Sequence, residues 1–346
     1  MFRNVIFGLM AFTMTACGGS TEPEATPEPT PTKAPVLSPD FAFFSDTPVV
    51  ARGLSGEWDS KYINPGAVVY HDGQFHMFRN GFTTWPGFVA VGYAVSDDGV
   101  NWTAVQDEPV FTSEQVSYAN SAVLVTSVVV QEDGTWVFYF STHNSASTPS
   151  EIGRATAASP TDEWQVDAEP VLSPGPDGAW DAVNVRWPNV VESDDGYVMF
   201  YGGAGPDGNF RIGRAESADG VTWIKYDDTR TGEGMFAESD PVLEASGEWD
   251  VRDADRPVVQ LTPDGYVMIY TGGIISRRGI AVSKDGIHWG LFDGNPIISD
   301  QDFPVPGNTW DTALVYANGT YYYFMEIGTL DGTDIYLTIH EGPLWR

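Results

Sequence analysis

The chain has 346 residues, with 48 acidic side chains against 17 basic ones, which gives a formal net charge of −31 at pH 7. A field of that sign repels nucleic acids and anionic membrane surfaces, so neither is an expected partner. The chain contains one cysteine, Cys17, which excludes an intrachain disulfide.

The first residues have the pattern of an export signal. Arg3 precedes an apolar run at residues 5–14, which is too short to cross a bilayer and ends in Thr15-Ala16-Cys17. This pattern resembles a bacterial lipoprotein signal, and the resemblance implies that residues 1–16 are removed and that Cys17 is lipidated. A secretion signal cleaved elsewhere is the alternative. We expect the protein in the cell envelope, lipid-anchored and facing the periplasm or the exterior.

Residues 17–40 are rich in Pro, Thr and Glu in low-complexity order. Such a composition favours extended, solvated chain and cannot bury a core. We therefore predict a tether at residues 17–40 and one folded domain at residues 41–346.

Five Asp-Gly or Asn-Gly pairs separate apolar, β-rich runs in that domain, at intervals of 54 to 69 residues. Such pairs accept the positive φ angles of a tight turn, so each predicts a β-hairpin. The regular spacing indicates a repeat architecture. The pairs are Asp72-Gly73, Asp133-Gly134, Asp195-Gly196, Asp264-Gly265 and Asn318-Gly319.

Other motifs recur in phase with these turns. Ser-x-Asp-Gly-x-x-Trp occupies residues 96–102, 217–223 and 283–289, and we interpret it as a capped turn whose Trp packs between neighbouring repeats. A Trp-Asp pair precedes four hairpins, and the aspartates of three, Asp59, Asp181 and Asp250, are interpreted as structural. The four pairs are Trp58-Asp59, Trp180-Asp181, Trp249-Asp250 and Trp310-Asp311.

Short strands repeated in this way predict an all-β fold, a five-bladed β-propeller with four-stranded blades. Four repeats close on a strand that Pro opens, and an additional copy, Pro48-Val49-Val50, stands before the first hairpin. We predict that residues 48–52 pair with the blade of Asn318, so that the N-terminal strand closes the ring and protects the sheet edges. A monomer is expected.

A propeller supports many chemistries, so function is sought at the mouth of its central channel. The residues that open the innermost strands, or end the second strands, include amides, guanidinium groups and aromatic rings. This mixture suits a sugar, which has hydroxyls to bond and ring faces to stack. The candidate substrate-binding residues are Asn64, Arg79, His143, Arg186, Trp187 and Arg256.

If a sugar bound there is to be hydrolysed, two carboxyl groups are needed at the glycosidic bond, one acid and one base or nucleophile. Asp255 stands beside Arg256, whose charge favours the ionised base, and Glu326 ends an apolar strand, where a carboxyl group tends to keep its proton. Asp253 and Asp311 are the alternates. A structural ion pair at Asp255 and a hydrogen-bonded strand end at Glu326 are the non-catalytic interpretations.

The five histidines are scattered, without the paired spacing of a zinc site. No phosphate-binding loop is present. We expect no cofactor and no metal in the site, while acidic loops such as residues 299–302 leave a structural calcium ion open.

Residues 62–79, which open with Tyr62-Ile63-Asn64-Pro65 and end in Arg79, resemble the first blade of β-mannoside phosphorylases. Over residues 45–346 the chain resembles the five-bladed propeller glycosidases, which include arabinanases and fructosidases. The resemblance implies a glycoside hydrolase or phosphorylase acting on oligo- or polysaccharide, which the expected lipid on Cys17 would anchor at the surface. Arabinanase-like members have a catalytic Asp where this chain has Asn64, so a catalytically inactive glycan-binding lipoprotein is the alternative.

Overall fold

The structure is a computed structural model that describes residues 37–144, 148–247, 249–273 and 276–344. The predicted signal, Cys17 and most of the predicted tether lie outside these residues, so the boundaries expected there stay predictions. The helices among the described residues are three 3₁₀ turns, and none is long and apolar enough to cross a membrane. They are Ser113–Gln115, Gly234–Phe236 and Asp300–Asp302.

The described residues form five antiparallel sheets, which are the five predicted blades in a ring. β1 is Ala42–Phe43. Blade one comprises β2 (Tyr62–His71), β3 (Gln74–Phe82), β4 (Ala90–Ser96), β5 (Thr103–Ala104) and β6 (Phe111–Thr112). Blade two comprises β7 (Ala122–Val130), β8 (Trp136–His143), β9 (Ile152–Ala157) and β10 (Gln165–Val166). Blade three comprises β11 (Asn184–Ser193), β12 (Gly196–Ala204), β13 (Phe210–Ser217), β14 (Ile224–Lys225) and β15 (Pro241–Leu243). Blade four comprises β16 (Ala254–Thr262), β17 (Gly265–Gly272), β18 (Arg278–Ser283) and β19 (Gly290–Leu291). Blade five comprises β20 (Asn308–Ala317), β21 (Thr320–Thr329), β22 (Gly332–Glu341) and β1.

The N-terminal segment completes blade five, as predicted. β1 pairs antiparallel with β22, with Ala42 opposite Ile339. Farther along, the N–H of Ile335 donates to the carbonyl of Val50 at 2.9 Å. The outer layer of blade five therefore comes from two short segments that precede blade one in the chain.

The hairpin turns are of two kinds. At Asp72-Gly73 and Asn318-Gly319 both residues have positive φ, as expected for a two-residue turn of this composition. At the other three turns only the Gly has positive φ, and in blades three and four that Gly opens the second strand. In blade three, for example, Ser193 pairs with Gly196, which has a φ of +126°.

The Ser-x-Asp-Gly-x-x-Trp loops are capped turns that join blades. Asp98 Oδ1 accepts hydrogen bonds from the main-chain N–H groups of Val100 (2.8 Å) and Asn101 (2.7 Å). Trp102 then packs edge-on against Phe324 of blade five, with ring centroids 5.6 Å apart. The loops of blades three and four repeat these capping bonds, which bears out the structural interpretation.

Each innermost strand carries a β-bulge at the same level of the channel. A bulge adds residues on one strand and redirects their side chains. Trp187 and Arg256 lie at bulges with φ of +50° and +48°, a region that costs energy for residues with a Cβ and is concentrated at functional sites. The register shifts fall at Asn64/Ala67, Val125/Ser127, Arg186/Asn189, Asp255/Val258 and Thr309/Thr312.

Candidate active site

The bulges of blades three, four and five direct side chains toward a cavity of about 240 Å³ at one end of the channel, which we call the mouth cavity. Its wall combines ionisable groups with aromatic and aliphatic side chains, the kind of lining typical of small-ligand sites. The lining residues are Tyr62, Phe82, Trp85, Leu124, His143, Trp187, Arg256, Trp310, Asp311, Glu326 and Leu330.

Arg256 forms the floor of the mouth cavity. Its guanidinium group lies 4.1 Å from the centre of the Trp187 ring, and its Nε lies 3.3 Å from Oδ1 of Asp311. The cation–π contact and the ion pair together hold the arginine across the channel. Beyond it lies a void of only about 20 Å³, so a ligand of sugar size reaches the floor and goes no farther.

Asp311 is also held from the side of blade one. Asn64, which is fully buried, donates from Nδ2 to Oδ2 of Asp311 at 3.3 Å. Its own Oδ1 accepts from Asn80 Nδ2 at 2.8 Å, and the Asn80 side chain bonds to the main chain of Val125 in blade two. Asn64 does not line the mouth cavity. In this geometry it positions Asp311.

Glu326 lies on β21, opposite the bulge of blade five, and its Oε2 accepts a hydrogen bond from the main-chain N–H of Asp311 at 3.3 Å. Burial raises the pKa of Glu326 well above that of an ordinary glutamate, and the nearby Asp311 carboxylate raises it further. Burial also raises the pKa of Asp311, but Arg256 and Arg278 oppose this effect. Of the two carboxyl groups, Glu326 is therefore the more readily protonated, and Asp311 the more readily ionised.

The residue opposite the bulge has a different partner in blade five than in blades one and three. In blade one the second-strand residue opposite the bulge, Arg79, donates to the Trp-Asp aspartate Asp59 at 2.7 Å. In blade three the equivalent residue, Tyr201, likewise donates to Asp181 at 3.3 Å. The two aspartates are thus structural in their contacts.

In blade five the Trp-Asp pair itself forms the bulge. Trp310-Asp311 thus differs from the other three Trp-Asp pairs, which precede the first strand of their blade. Glu326 therefore has no aspartate before the first strand to bond to, as Arg79 and Tyr201 do. Asp311 points to the channel.

Asp255 is buried beside Arg256 but does not line the mouth cavity. Burial raises its pKa to about 6, against the opposing effect of Arg256. Oδ2 lies 3.8 Å from Arg256 Nη1, while Oδ1 has no hydrogen-bond partner among the described residues and packs against Gly202. Its predicted role as the base stays a prediction.

Three other predicted residues lie outside the mouth cavity. Asp253 accepts a hydrogen bond from the Phe210 N–H at 3.4 Å and so joins blades three and four. Arg79 is engaged within blade one, and Arg186 lies 5.6 Å from the centre of the Trp187 ring. The structure thus brings Arg256 and Trp187 to the cavity but does not bring these three residues to it.

The sequence analysis missed most of the aromatic lining. Ring centroids are 5.3 Å apart between Tyr62 and Phe82, 5.3 Å between Phe82 and Trp85, and 4.9 Å between Trp85 and His143. His143 in turn meets Trp187 edge-on at 5.8 Å. These rings form a continuous arc around the cavity, of the kind that sugar ring faces contact.

His143 was predicted in the site and does line it. Its burial lowers the pKa of the imidazole well below the usual value, and the positive charges of Arg186 and Arg256 add to this effect. Nε2 has no hydrogen-bond partner among the described residues. A neutral imidazole with a free ring nitrogen suits a contact with a sugar hydroxyl.

No three His, Cys, Asp or Glu side chains of the described ranges lie together as a metal site. At residues 299–302, where calcium was considered, Asp302 Oδ2 accepts hydrogen bonds from the N–H and hydroxyl of Ser299 at 2.8 and 2.9 Å. That carboxylate oxygen therefore caps its own turn.

The sequence profile described as glycosyl hydrolases family 32 N-terminal domain matches residues 59–255, more than half of the chain. No functionally curated protein matches.

Similar solved structures share the fold at low sequence identity. One, described in a study of "the GH130 family of mannoside phosphorylases" that "contains glycoside hydrolases that target beta-1,2 mannosidic linkages in Candida mannan", has 17% identity and a TM-score of 0.63 and covers 90% of this chain and 99% of its own. A glycosyl hydrolase from Bacteroides ovatus has 16% identity and a TM-score of 0.63, with coverages of 87% and 94%. A thermostable family-43 glycoside hydrolase has 15% identity and a TM-score of 0.59, with coverages of 83% and 91%.

Proposed function

Because this chain belongs to the glycosyl hydrolases family 32 N-terminal domain family, we propose that it cleaves a glycosidic bond in the mouth cavity. The observation that carries the proposal is that Asp311 and Glu326 line the same cavity, joined by the hydrogen bond from the Asp311 N–H to Glu326 Oε2, in surroundings that favour a protonated Glu326 and an ionised Asp311. That difference is what acid and base roles at a glycosidic bond require.

Glu326 is the proposed acid and protonates the leaving oxygen as the bond to the anomeric carbon breaks. Asp311, kept anionic by Arg256 and oriented by Asn64, attacks that carbon. Attack by Asp311 would form a covalent glycosyl-enzyme intermediate, which predicts retention of the anomeric configuration. Glu326, now anionic, takes a proton from the water that releases the sugar. Inorganic phosphate in place of that water would make the reaction phosphorolytic.

The size of the mouth cavity limits how the substrate binds. A volume of about 240 Å³ above a floor closed by Arg256 suits one sugar unit rather than a chain threaded through it. We therefore propose that the terminal sugar of an oligo- or polysaccharide enters, with its ring against the aromatic arc and its hydroxyls toward His143 and Arg256.

The second candidate is a glycan-binding protein without turnover. It is favoured by Asn64, which replaces a catalytic Asp of arabinanase-like relatives, and by Asp311, whose two oxygens are engaged by Arg256 and Asn64. A carboxylate that is held in this way is a poorer nucleophile unless the substrate displaces one partner.

A panel of aryl glycosides and oligosaccharides, assayed with and without inorganic phosphate, tests the two candidates. Release of a single terminal sugar from at least one substrate is expected. Binding of glycans without any turnover would overturn the enzymatic proposal in favour of the second candidate.

We also propose that Cys17 carries a lipid anchor and that the protein is a monomer facing the periplasm or the exterior. The apolar run before Cys17 supports the anchor, and the closed ring of blades supports a monomer. Cys17→Ser should move the protein from the membrane fraction to the soluble fraction. Sedimentation of the Ser variant with membranes would contradict the anchor.

A further inference from the structure

One position in the third strand of the blades breaks the repeat in blade four. In blades one to four this position pairs with the apolar segment that Pro opens, and a Gly follows it in the chain. In blades one to three it holds a buried aliphatic residue, whereas in blade four it holds Arg278, which is only 1% exposed. The pairs are Val91 with Phe111, Ile152 with Leu172, Ile212 with Leu243 and Arg278 with Ile298.

An arginine in this place requires a reason beyond the architecture of the blade. Moving a guanidinium group out of water is costly unless charges and hydrogen bonds compensate it, and arginine stays charged when it is buried. The same position holds isoleucine in blades two and three, so the blade does not need a cation there. The reason therefore lies in what Arg278 contacts.

Arg278 extends to blade five, where it contacts the bulge that carries Asp311. Its Nη2 donates to the main-chain carbonyl groups of Thr309, at 3.3 Å, and of Trp310, at 2.9 Å. These are the two residues that precede Asp311, and Thr309 is fully buried. A planar guanidinium group that bonds to two successive carbonyl groups restricts the orientation of both.

One peptide group links Arg278 to both proposed catalytic residues. The carbonyl of Trp310 accepts from Arg278, and the N–H of the same peptide group, which belongs to Asp311, donates to Oε2 of Glu326 at 3.3 Å. Because a peptide group is planar, holding its carbonyl also holds its N–H. Arg278 therefore constrains the contact between Asp311 and Glu326, although it does not line the mouth cavity.

The charge of Arg278 also acts on Asp311. Among the described residues, the charged groups that face Asp311 are Arg256 from β16, Arg278 from β18 and Glu326 from β21, and the neutral amide of Asn64 on β2 bonds to it. Burial raises the pKa of Asp311, and the two guanidinium groups oppose that rise. Burial likewise lowers the pKa of Arg278, and the Asp311 carboxylate opposes that change. Each charge thus offsets part of the cost of burying the other.

We propose that Arg278 is a positioning residue for Asp311, which holds the bulge of blade five in place and stabilises the Asp311 carboxylate by its charge. The inference rests on the proposed function for the role of Asp311. It accounts for the cation that blade four has where blades one to three have an aliphatic side chain. A role confined to fastening blade four to blade five is the alternative, and the pH dependence distinguishes the two.

The test replaces Arg278 and measures the pH profile of kcat/KM on whichever glycoside the panel identifies. Arg278→Gln keeps a hydrogen-bond donor without the charge, and Arg278→Ile installs the residue of blades two and three. Both should move the acid limb of the profile to higher pH by about one unit, because Asp311 loses a neighbouring positive charge. Arg278→Lys keeps the charge but loses the planar fork, so it should lower kcat severalfold while the acid limb stays close to its original pH.

Arg214→Gln is the matched control. Arg214 also lies on a third strand, is 6% exposed and donates to Glu216 of its own blade at 2.6 Å. Its replacement should leave the acid limb in place. Thermal unfolding verifies that each variant is folded. An acid limb that stays in place in a folded neutral variant of Arg278 would overturn the proposal and leave Arg278 as a fastening between blades.

Titration of the Asp311 carboxyl group separates failure of this inference from failure of the proposed function. NMR of protein labelled at the aspartate carboxyl carbons follows this titration without any turnover, and Asp311→Asn identifies the resonance by its loss. If the protein cleaves no glycoside, a titration that moves to higher pH in Arg278→Gln still upholds the action of Arg278 on Asp311. A titration that does not move overturns the inference even if the protein is an active glycosidase.

Discussion

The main-chain N–H of Asp311 points at Oε2 of Glu326, 3.3 Å away across the bulge of blade five. One bulge therefore supplies the position of both carboxyl groups, and Arg256 from the neighbouring blade decides which of them is charged. That division of charge determines how variants of the two residues should behave.

Removing either carboxyl group should reduce turnover by roughly 10²- to 10⁴-fold. Glu326→Gln should slow alkyl glycosides much more than nitrophenyl glycosides, because a nitrophenolate leaves without a proton, whereas Asp311→Asn should slow both. Steady-state kinetics on the two substrate types checks this. The rival assignment provides the contrast: if Asp255→Asn abolishes turnover and Asp311→Asn does not, the base is Asp255.

The pH profile of kcat/KM should be bell-shaped. Activity falls on the acid side as Asp311 gains a proton and on the alkaline side as Glu326 loses one. Because burial and Asp311 raise the pKa of Glu326, the alkaline limb should lie above the range of an ordinary glutamate. Glu326→Gln should remove that limb from the residual activity, and its persistence would mean that another group is the acid.

Asp255→Asn should stabilise the fold at alkaline pH. The folded-state pKa of Asp255, about 6, lies above its ordinary value of 3.8, so folding favours the protonated form. This contribution to stability is fully present below the unfolded pKa and is lost as pH rises through 6. The Asn amide is neutral at every pH and keeps this contribution. The free energy of unfolding of the variant should therefore exceed that of the unmodified protein by roughly 3 kcal/mol at pH 8, and this difference vanishes below pH 4. Chemical denaturation at both pH values measures the gain, and the exposed Asp293→Asn serves as the control. Equal gains at the two pH values would mean that ionisation of the buried Asp255 carboxyl group is not the cause.

Asn64→Asp should not supply a catalytic carboxylate. Asn64 is fully buried and donates to Asp311, so the change replaces a donor with a second negative charge facing that carboxylate. We expect a loss of about 3 to 5 kcal/mol in the free energy of unfolding at neutral pH, and lower activity. The conservative Asn64→Ser, which adds no charge, should cost less. Higher turnover in Asn64→Asp would instead favour the interpretation that this chain has lost a catalytic Asp.

Local turn chemistry accounts for what the sequence predicted well. Pairs such as Asp72-Gly73 and capped loops such as the one at Asp98 specify their conformation within a few residues, so their spacing is enough to count the blades. The copy of the Pro strand at Pro48 likewise predicted the closure of the ring, since a strand without a local partner needs a distant one.

The site was harder to predict because bulges are a property of strand pairing. The sequence analysis names Asp311 only as an alternate catalytic residue, and the register of β20 against β21 is what places it opposite Glu326. Trp85 and Leu330 lie in connections between strands, where no periodicity marks a residue as lining a cavity.

The pairing of Ala42 with Ile339 also determines when the protein can finish folding. Synthesis delivers β1 well before β22, so β1 has no partner until blade five has been made. Contacts so distant in sequence form slowly, because a long loop must close before they are made. Until then β22 has an open edge that any other extended chain can occupy. A chain terminated before β22 leaves β1 without a partner and β21 with an open edge. Closure of the ring therefore depends on synthesis of β22.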